Sequence, residues 1–133
     1  MIKINTIRQG GSDCTLACIA MVTNTTIEYV QSHFTFQSTL EGTTLEEMLL
    51  IFASMKVDYI LQAFPSIFSG RLYIVTVPSL NFEARNHNIV VQFCPDTLTF
   101  VINDPNEGYP GRKYYDNNNF RCYSEVVEII PKV

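Results

Sequence analysis

Apolar and polar positions follow two different periods along this chain, and the change of period divides it. Residues 14–22 form a nearly unbroken apolar run, Cys-Thr-Leu-Ala-Cys-Ile-Ala-Met-Val. Gly10-Gly11 interrupts the chain ahead of it, and Ser12 and Asp13 offer caps, so the run predicts a buried helix. Thr25-x-x-Glu28 has capping-box form, in which hydroxyl and carboxylate satisfy free amides reciprocally, and predicts a short helix through His33. Thr43-x-x-Glu46 and Thr44-x-x-Glu47 repeat the signal before a third helix, where Leu45, Met48, Leu49 and Phe52 recur at helical spacing.

After Lys56 the character changes. Residues 57–61 and 71–77 are rich in β-branched and aromatic side chains and read as strands, the second stopped by Pro78. Residues 88–93 and 97–102 flank Cys94-Pro95-Asp96, which has the composition of a hairpin turn. Asp104-Pro105-Asn106-Glu107-Gly108 marks another turn, and a final strand falls within 125–130. Helices first and strands after them imply an α+β class, with N-terminal helices packed on one side of a meander-like antiparallel β-sheet.

A length of 133 residues suits one domain, 1–133, large enough to bury a core without staples. The formal charge of −4 argues against a phosphate-binding surface, so nucleic acid is not an expected partner; Arg112-Lys113 is at most a local patch. The start carries no apolar run of signal-peptide type, and Lys56, Asp58 and Pro65 break the longest apolar stretches. A cytoplasmic protein with no membrane partner is therefore expected. Its four cysteines are then expected to stay reduced. Repeats and low-complexity tracts are absent, and Asn117-Asn118-Asn119 reads as a loop rather than a boundary.

Cys14 opens the first predicted helix. Free amides and the positive end of the helix dipole stabilise a thiolate there, and a thiolate is what nucleophilic cysteine catalysis requires. Gln9 lies upstream across Gly10-Gly11, where its side-chain amide can fold back beside the Cys14 main-chain amide and supply an oxyanion hole. His87 begins one predicted strand and Asp104 ends the next. A turn centred on Pro95-Asp96 makes Phe93 face Leu98, and the same register sets His87 opposite Asp104, with β-carbons about 4.5–5.5 Å apart. A carboxylate so placed would fix the imidazole tautomer and stabilise imidazolium.

Each residue also has a plainer reading. A cysteine in an apolar helix is more often a small core residue than a nucleophile, and Cys18 takes that role here. A lone strand histidine is usually structural, and Asp before Pro is a frequent turn initiator. His33 is a rival base, but its place at a helix end suits a solvated cation. Cys14 and Cys18 share a helix face and would need His33, Cys94 or Cys122 to hold a metal. No paired C-x-x-C accompanies them, so no metal is assigned. Asp58, Asp96 and Asp116 form no recognisable carboxylate pair, and Glu46 and Glu47 read as a solvated surface. What raises the set of Cys14, His87, Asp104 and Gln9 is that all of them fall where one mechanism needs them.

The segment from Gln9 through Asp13-Cys14 to Met21 resembles the start of the bacteriocin-leader (double-glycine) cysteine peptidase domains of the papain-like superfamily. His87-Asn-Ile-Val-Val and Phe100-Val-Ile-Asn-Asp104-Pro-Asn-Glu-Gly108 are similar to that family's downstream motifs, and residues 42–50 resemble its second helical region. The resemblance implies a papain-like cysteine peptidase fold. It implies Cys14 as nucleophile, His87 as general base, Asp104 as orienter and Gln9 as oxyanion donor. The implied activity is a thiol hydrolase cleaving a peptide or other amide bond through an acyl-enzyme, without a cofactor, on a peptide or protein substrate. Three departures stand out: Thr15 where the family usually has Gly, Asn88 where it usually has an aromatic residue, and a shorter Gln-to-Cys interval. They keep open a non-catalytic papain-like binding module, and the same triad would also serve an acyltransferase. No transporter segment accompanies the domain, so export-linked leader cleavage is not expected.

Overall fold

A computed structural model describes residues 4–8, 13–33, 43–61, 72–80, 86–94, 96–106 and 123–130. Gln9, Gly10-Gly11, Ser12, Pro95, Arg112-Lys113, Asp116, the asparagine run and Cys122 lie outside the described residues.

Helix α1 (Cys14–Thr23) is buried from Thr15 to Met21, as its apolar sequence dictates. It ends at Asn24 in the left-handed conformation, φ 54°, a geometry asparagine tolerates better than most residues. Thr25 N–H closes that end by donating to Ala20 O at 3.0 Å. This engagement, with a 2.8 Å contact between the Thr25 and Thr23 hydroxyls, explains why Thr25 does not cap the next helix. Thr26 does so instead, accepting from Tyr29 N–H at 3.1 Å at the head of α2 (Ile27–Ser32).

Helix α3 (Leu45–Met55) starts with a complete capping box. Glu47 N–H donates to Thr44 Oγ1 at 3.2 Å, and Thr44 N–H donates to Glu47 Oε1 at 2.9 Å. Such a cap stabilises a helix by about 1 kcal/mol. Of the expected face, Met48 and Phe52 are buried together with Ile51, while Leu45 and Leu49 pack at its margin. Among the described residues no helix is long and apolar enough to cross a membrane.

The strands are β1 (Asp58–Leu61), β2 (Leu72–Pro78), β3 (Asn86–Cys94), β4 (Thr99–Asn103) and β5 (Glu125–Ile130). They form one antiparallel sheet in the order β1-β5-β2-β3-β4. The expected meander holds for β2, β3 and β4 only. β5 inserts between β1 and β2, a long-range pairing that local pattern does not encode.

The sheet is apolar on both faces. Leu72, Ile74, Val90, Val127 and Ile129 join the residues of the three helices in one cluster. Tyr73, Val75, Val77, Ile89, Val91, Phe93 and Val126 form a second cluster, with Phe100, Ile102 and Tyr123 packed against it. Odd and even positions of β2 and β3 thus go to different cores, as the two-residue period of a strand requires. The head of α1 is set against this sheet by its packing on β3.

Candidate active site

The β3–β4 hairpin differs from the sequence expectation in register. Phe93 pairs with Phe100 rather than Leu98, and Cys94 pairs with Thr99. The connection is therefore longer than a two-residue turn, and Leu98 takes a left-handed conformation, φ 54°, within it. A slip of two residues preserves the face of every side chain, whereas a slip of one reverses it. His87 and Asp104 therefore still meet, diagonally rather than directly opposed, and His87 Nε2 lies 2.6 Å from Asp104 Oδ1. Both are buried, at 5% and 2% relative exposure, so the contact is shielded from solvent. Asp104 Oδ1 also accepts from Asn106 N–H at 2.8 Å. The aspartate is thus both turn initiator and histidine partner.

Cys14 is the first residue of α1 and is partly buried. His87 acts on its thiol, and since Nε2 is taken by Asp104, Nδ1 is the ring nitrogen left for the sulfur. Burial alone would raise the Cys14 pKa. The hydrogen bond and charge of His87, the Asn88 main-chain N–H and the Thr15 hydroxyl together outweigh it, and the thiol is held below its ordinary value. Burial would likewise lower the His87 pKa, but hydrogen bonds to Asp104 and Cys14, and their charges, push it up to about 9. Both shifts run in the direction of a thiolate beside an imidazolium.

The remaining cysteines differ. Cys18 is fully buried, and burial first, then the charges of Cys14 and Asp104, raises its thiol well above the ordinary value. That is the inert core cysteine expected of it. The Cys94 thiol at the hairpin is lowered by its hydrogen bonds to Thr97. His33 is engaged elsewhere, with Nδ1 at 2.8 Å from Ser54 Oγ and its ring edge-on to Tyr29. Among the described residues no group of three or more His, Cys, Asp or Glu side chains is placed to hold a metal ion.

The two positions noted as departures from the family pattern touch each other. Asn88 Nδ2 donates to Thr15 Oγ1 at 2.7 Å, across 73 positions of sequence. Asn88 Oδ1 in turn accepts from Thr76 Oγ1 at 2.7 Å. Thr76 and Asn88 are direct partners in the β2–β3 register, so the second contact follows from strand pairing. Thr76 was not singled out in the sequence, where it is one β-branched residue in a strand of them.

A family model described as the Peptidase C39 family matches residues 3–131. Among curated proteins nothing matches. Among solved structures, the chain is similar to the peptidase domain of Streptococcus ComA, a bi-functional ABC transporter involved in a quorum-sensing pathway. The TM-score is 0.69 at 13% identity, over 99% of this chain and 100% of that one; at so low an identity the likeness speaks to the fold alone.

Proposed function

The chain belongs to the Peptidase C39 family, and from that premise we propose that it is a thiol hydrolase that cleaves a peptide amide bond through an acyl-enzyme on Cys14. The observation that carries this reading is the buried contact of His87 with Asp104, together with a Cys14 at the head of a buried helix whose thiol His87 holds low.

In acylation, Cys14 Sγ attacks the scissile carbonyl carbon. The C–S bond forms and the carbonyl π pair moves onto oxygen. The Cys14 main-chain N–H is the oxyanion donor at the helix head, and the Gln9 side chain is its second donor by the motif resemblance. Collapse breaks the C–N bond, and His87 gives its proton to the leaving amine. In deacylation, neutral His87 takes a proton from water, the oxygen attacks the thioester, and the C–S electron pair returns to Cys14 as the acid departs. Asp104 keeps Nε2–H pointed at itself, leaving Nδ1 for the chemistry.

Peptides carrying a double-glycine site suit a test, because the resembled family is named for that cut. Incubation with such peptides, read by mass spectrometry, is expected to give two fragments and, on rapid acid quench, an acyl adduct on Cys14. Cys14→Ala is expected to abolish both. Cleavage that persists in Cys14→Ala would reject the reading.

A further inference from the structure

We propose that the hydrogen bond from Asn88 to Thr15 is a clasp that fixes where α1 sits along β3, so that the head of the helix comes level with His87; Asn88 and Thr76 are then positioning residues for the reacting pair. The proposal rests on the reading of Cys14 and His87 as that pair.

Apolar packing alone leaves this placement loose. α1 is buried from Thr15 to Met21, and of the strands it packs chiefly on β3, through an apolar cluster. Attraction between apolar surfaces has no preferred direction, so it permits a helix to slide on a sheet. A slide by one strand residue is about 3.3 Å, enough to take an imidazole out of reach of a group it must touch. A hydrogen bond is directional and short-ranged. One buried polar contact can fix the register of two packed elements, as a single asparagine does between coiled-coil helices.

Of the two threonines of α1, Thr23 turns back on its own helix, donating to Ile19 O at 2.7 Å. Thr15 instead bonds the sheet, accepting from Asn88 Nδ2 at 2.7 Å. Asn88 is itself tied down, because its Oδ1 accepts at 2.7 Å from Thr76 Oγ1, on the residue paired with it in β2. Thr15 is 2% exposed and Thr76 8%, so a displaced helix would leave buried polar groups without partners. The connection to the chemistry is covalent. Thr15 follows Cys14 in the chain and Asn88 follows His87, and the peptide bond holds consecutive Cα atoms about 3.8 Å apart. Fastening Thr15 to Asn88 therefore fastens the residues beside them. Strand alternation sends the His87 and Asn88 side chains to opposite faces, so the clasp grips the strand here without taking the ring's place.

Iodoacetamide alkylation of Cys14 at neutral pH, with adducts mapped by mass spectrometry, reads the pair in the full chain without any peptide substrate. Asn88→Leu, near-isosteric and apolar, and Thr15→Val each remove the clasp and are expected to slow alkylation about tenfold, within the range that a small misplacement costs. Their combination should be no slower than either alone, because the same bond is lost each time. Thr15→Ser, which keeps the hydroxyl, should keep the parent rate. In a His87→Ala background the helix has no ring to meet, and there Asn88→Leu should change the rate by less than about twofold. A merely structural loss would act alike in both backgrounds. Thermal unfolding checks that each variant is folded; should Asn88→Leu not fold, Thr15→Val in the two backgrounds makes the same comparison. Parent-like alkylation in folded Asn88→Leu or Thr15→Val, additive losses in their combination, or equal slowing with and without His87 overturns the proposal. Failure of the hydrolase reading is distinguishable: the parent would leave peptides uncut while alkylation still depended on the clasp only in the presence of His87.

Discussion

The two faces of the sheet end differently where they approach Cys14. On the face turned to the helices, the apolar ladder of Leu72, Ile74 and Val90 gives way to Thr76 and Asn88, two neutral groups bonded to each other. On the opposite face, Val75, Ile89 and Val91 give way to His87 bonded to Asp104, a pair that can carry charge. His87 and Asn88 are neighbours in β3, so the two-residue period of a single strand sends one side chain to each face. Both bear on Cys14, His87 by holding its thiol low and Asn88 by bonding Thr15, the next residue along the helix. A moving proton needs a titrating group with a counter-charge beside it. Steady orientation needs dipoles that no pH change disturbs. The strand supplies one of each.

The most damaging way to break this comparison is to remove the titrating side alone. His87→Ala is expected to lower peptide cleavage by on the order of a thousandfold or more, the usual worth of a positioned acid–base group. Cys14 alkylation at neutral pH should collapse with it, because burial then raises the thiol with its largest opposing influence gone. Cys94, lowered by its own contacts with Thr97, is the internal control and should alkylate unchanged.

Asp104→Asn keeps the shape and removes the counter-charge, with an expected loss of about 10–100-fold from a charged hydrogen bond. Its sharper signature is in the pH profile. His87 is pushed up to about 9, with Asp104 first among the influences that raise it. The protonated ring therefore persists until the pH passes about 9, and activity in the parent should fall only above that point. Without the carboxylate the ring loses its proton earlier, so the alkaline limb should move to lower pH. An unmoved limb would mean that Asp104 does not set the histidine's charge.

The smallest expected effect is on the neutral face. Thr76→Val leaves Thr15 and Asn88 in contact and costs only the donor that orients the amide, so Cys14 alkylation should slow by a few-fold, in line with a neutral hydrogen bond of about 1 kcal/mol. A loss as large as that of His87→Ala would erase the distinction between the two faces.

Much of this layout was legible in the sequence, and for identifiable reasons. The uninterrupted apolar run fixed α1 as buried, and strand parity put His87 and Asp104 on one face even though the expected register was off by two. The register itself was unreadable because it depends on Leu98 in a conformation that leucine rarely takes. The Thr26 cap was missed because Thr25 was already committed to closing α1, a contact invisible to a four-residue pattern. The place of β5 and the Asn88–Thr15 bond join distant stretches of chain, which local periodicity cannot reveal. Gln9 was marked by its spacing to Cys14 and lies outside the described residues.

The insertion of β5 between β1 and β2 has a consequence for synthesis on the ribosome. The first and second strands emerge well before the segment that must lie between them; until residues 125–130 leave the exit tunnel β1 has no strand neighbour and β2 can pair only with β3. Until then the nascent chain presents two unsatisfied edges, one of them bearing Tyr59, Ile60 and Leu61, which invite intermolecular pairing. The sulfur at residue 14 is made early and its imidazole much later, so the nucleophile emerges without the partner that most lowers its pKa and meets it only as the domain assembles.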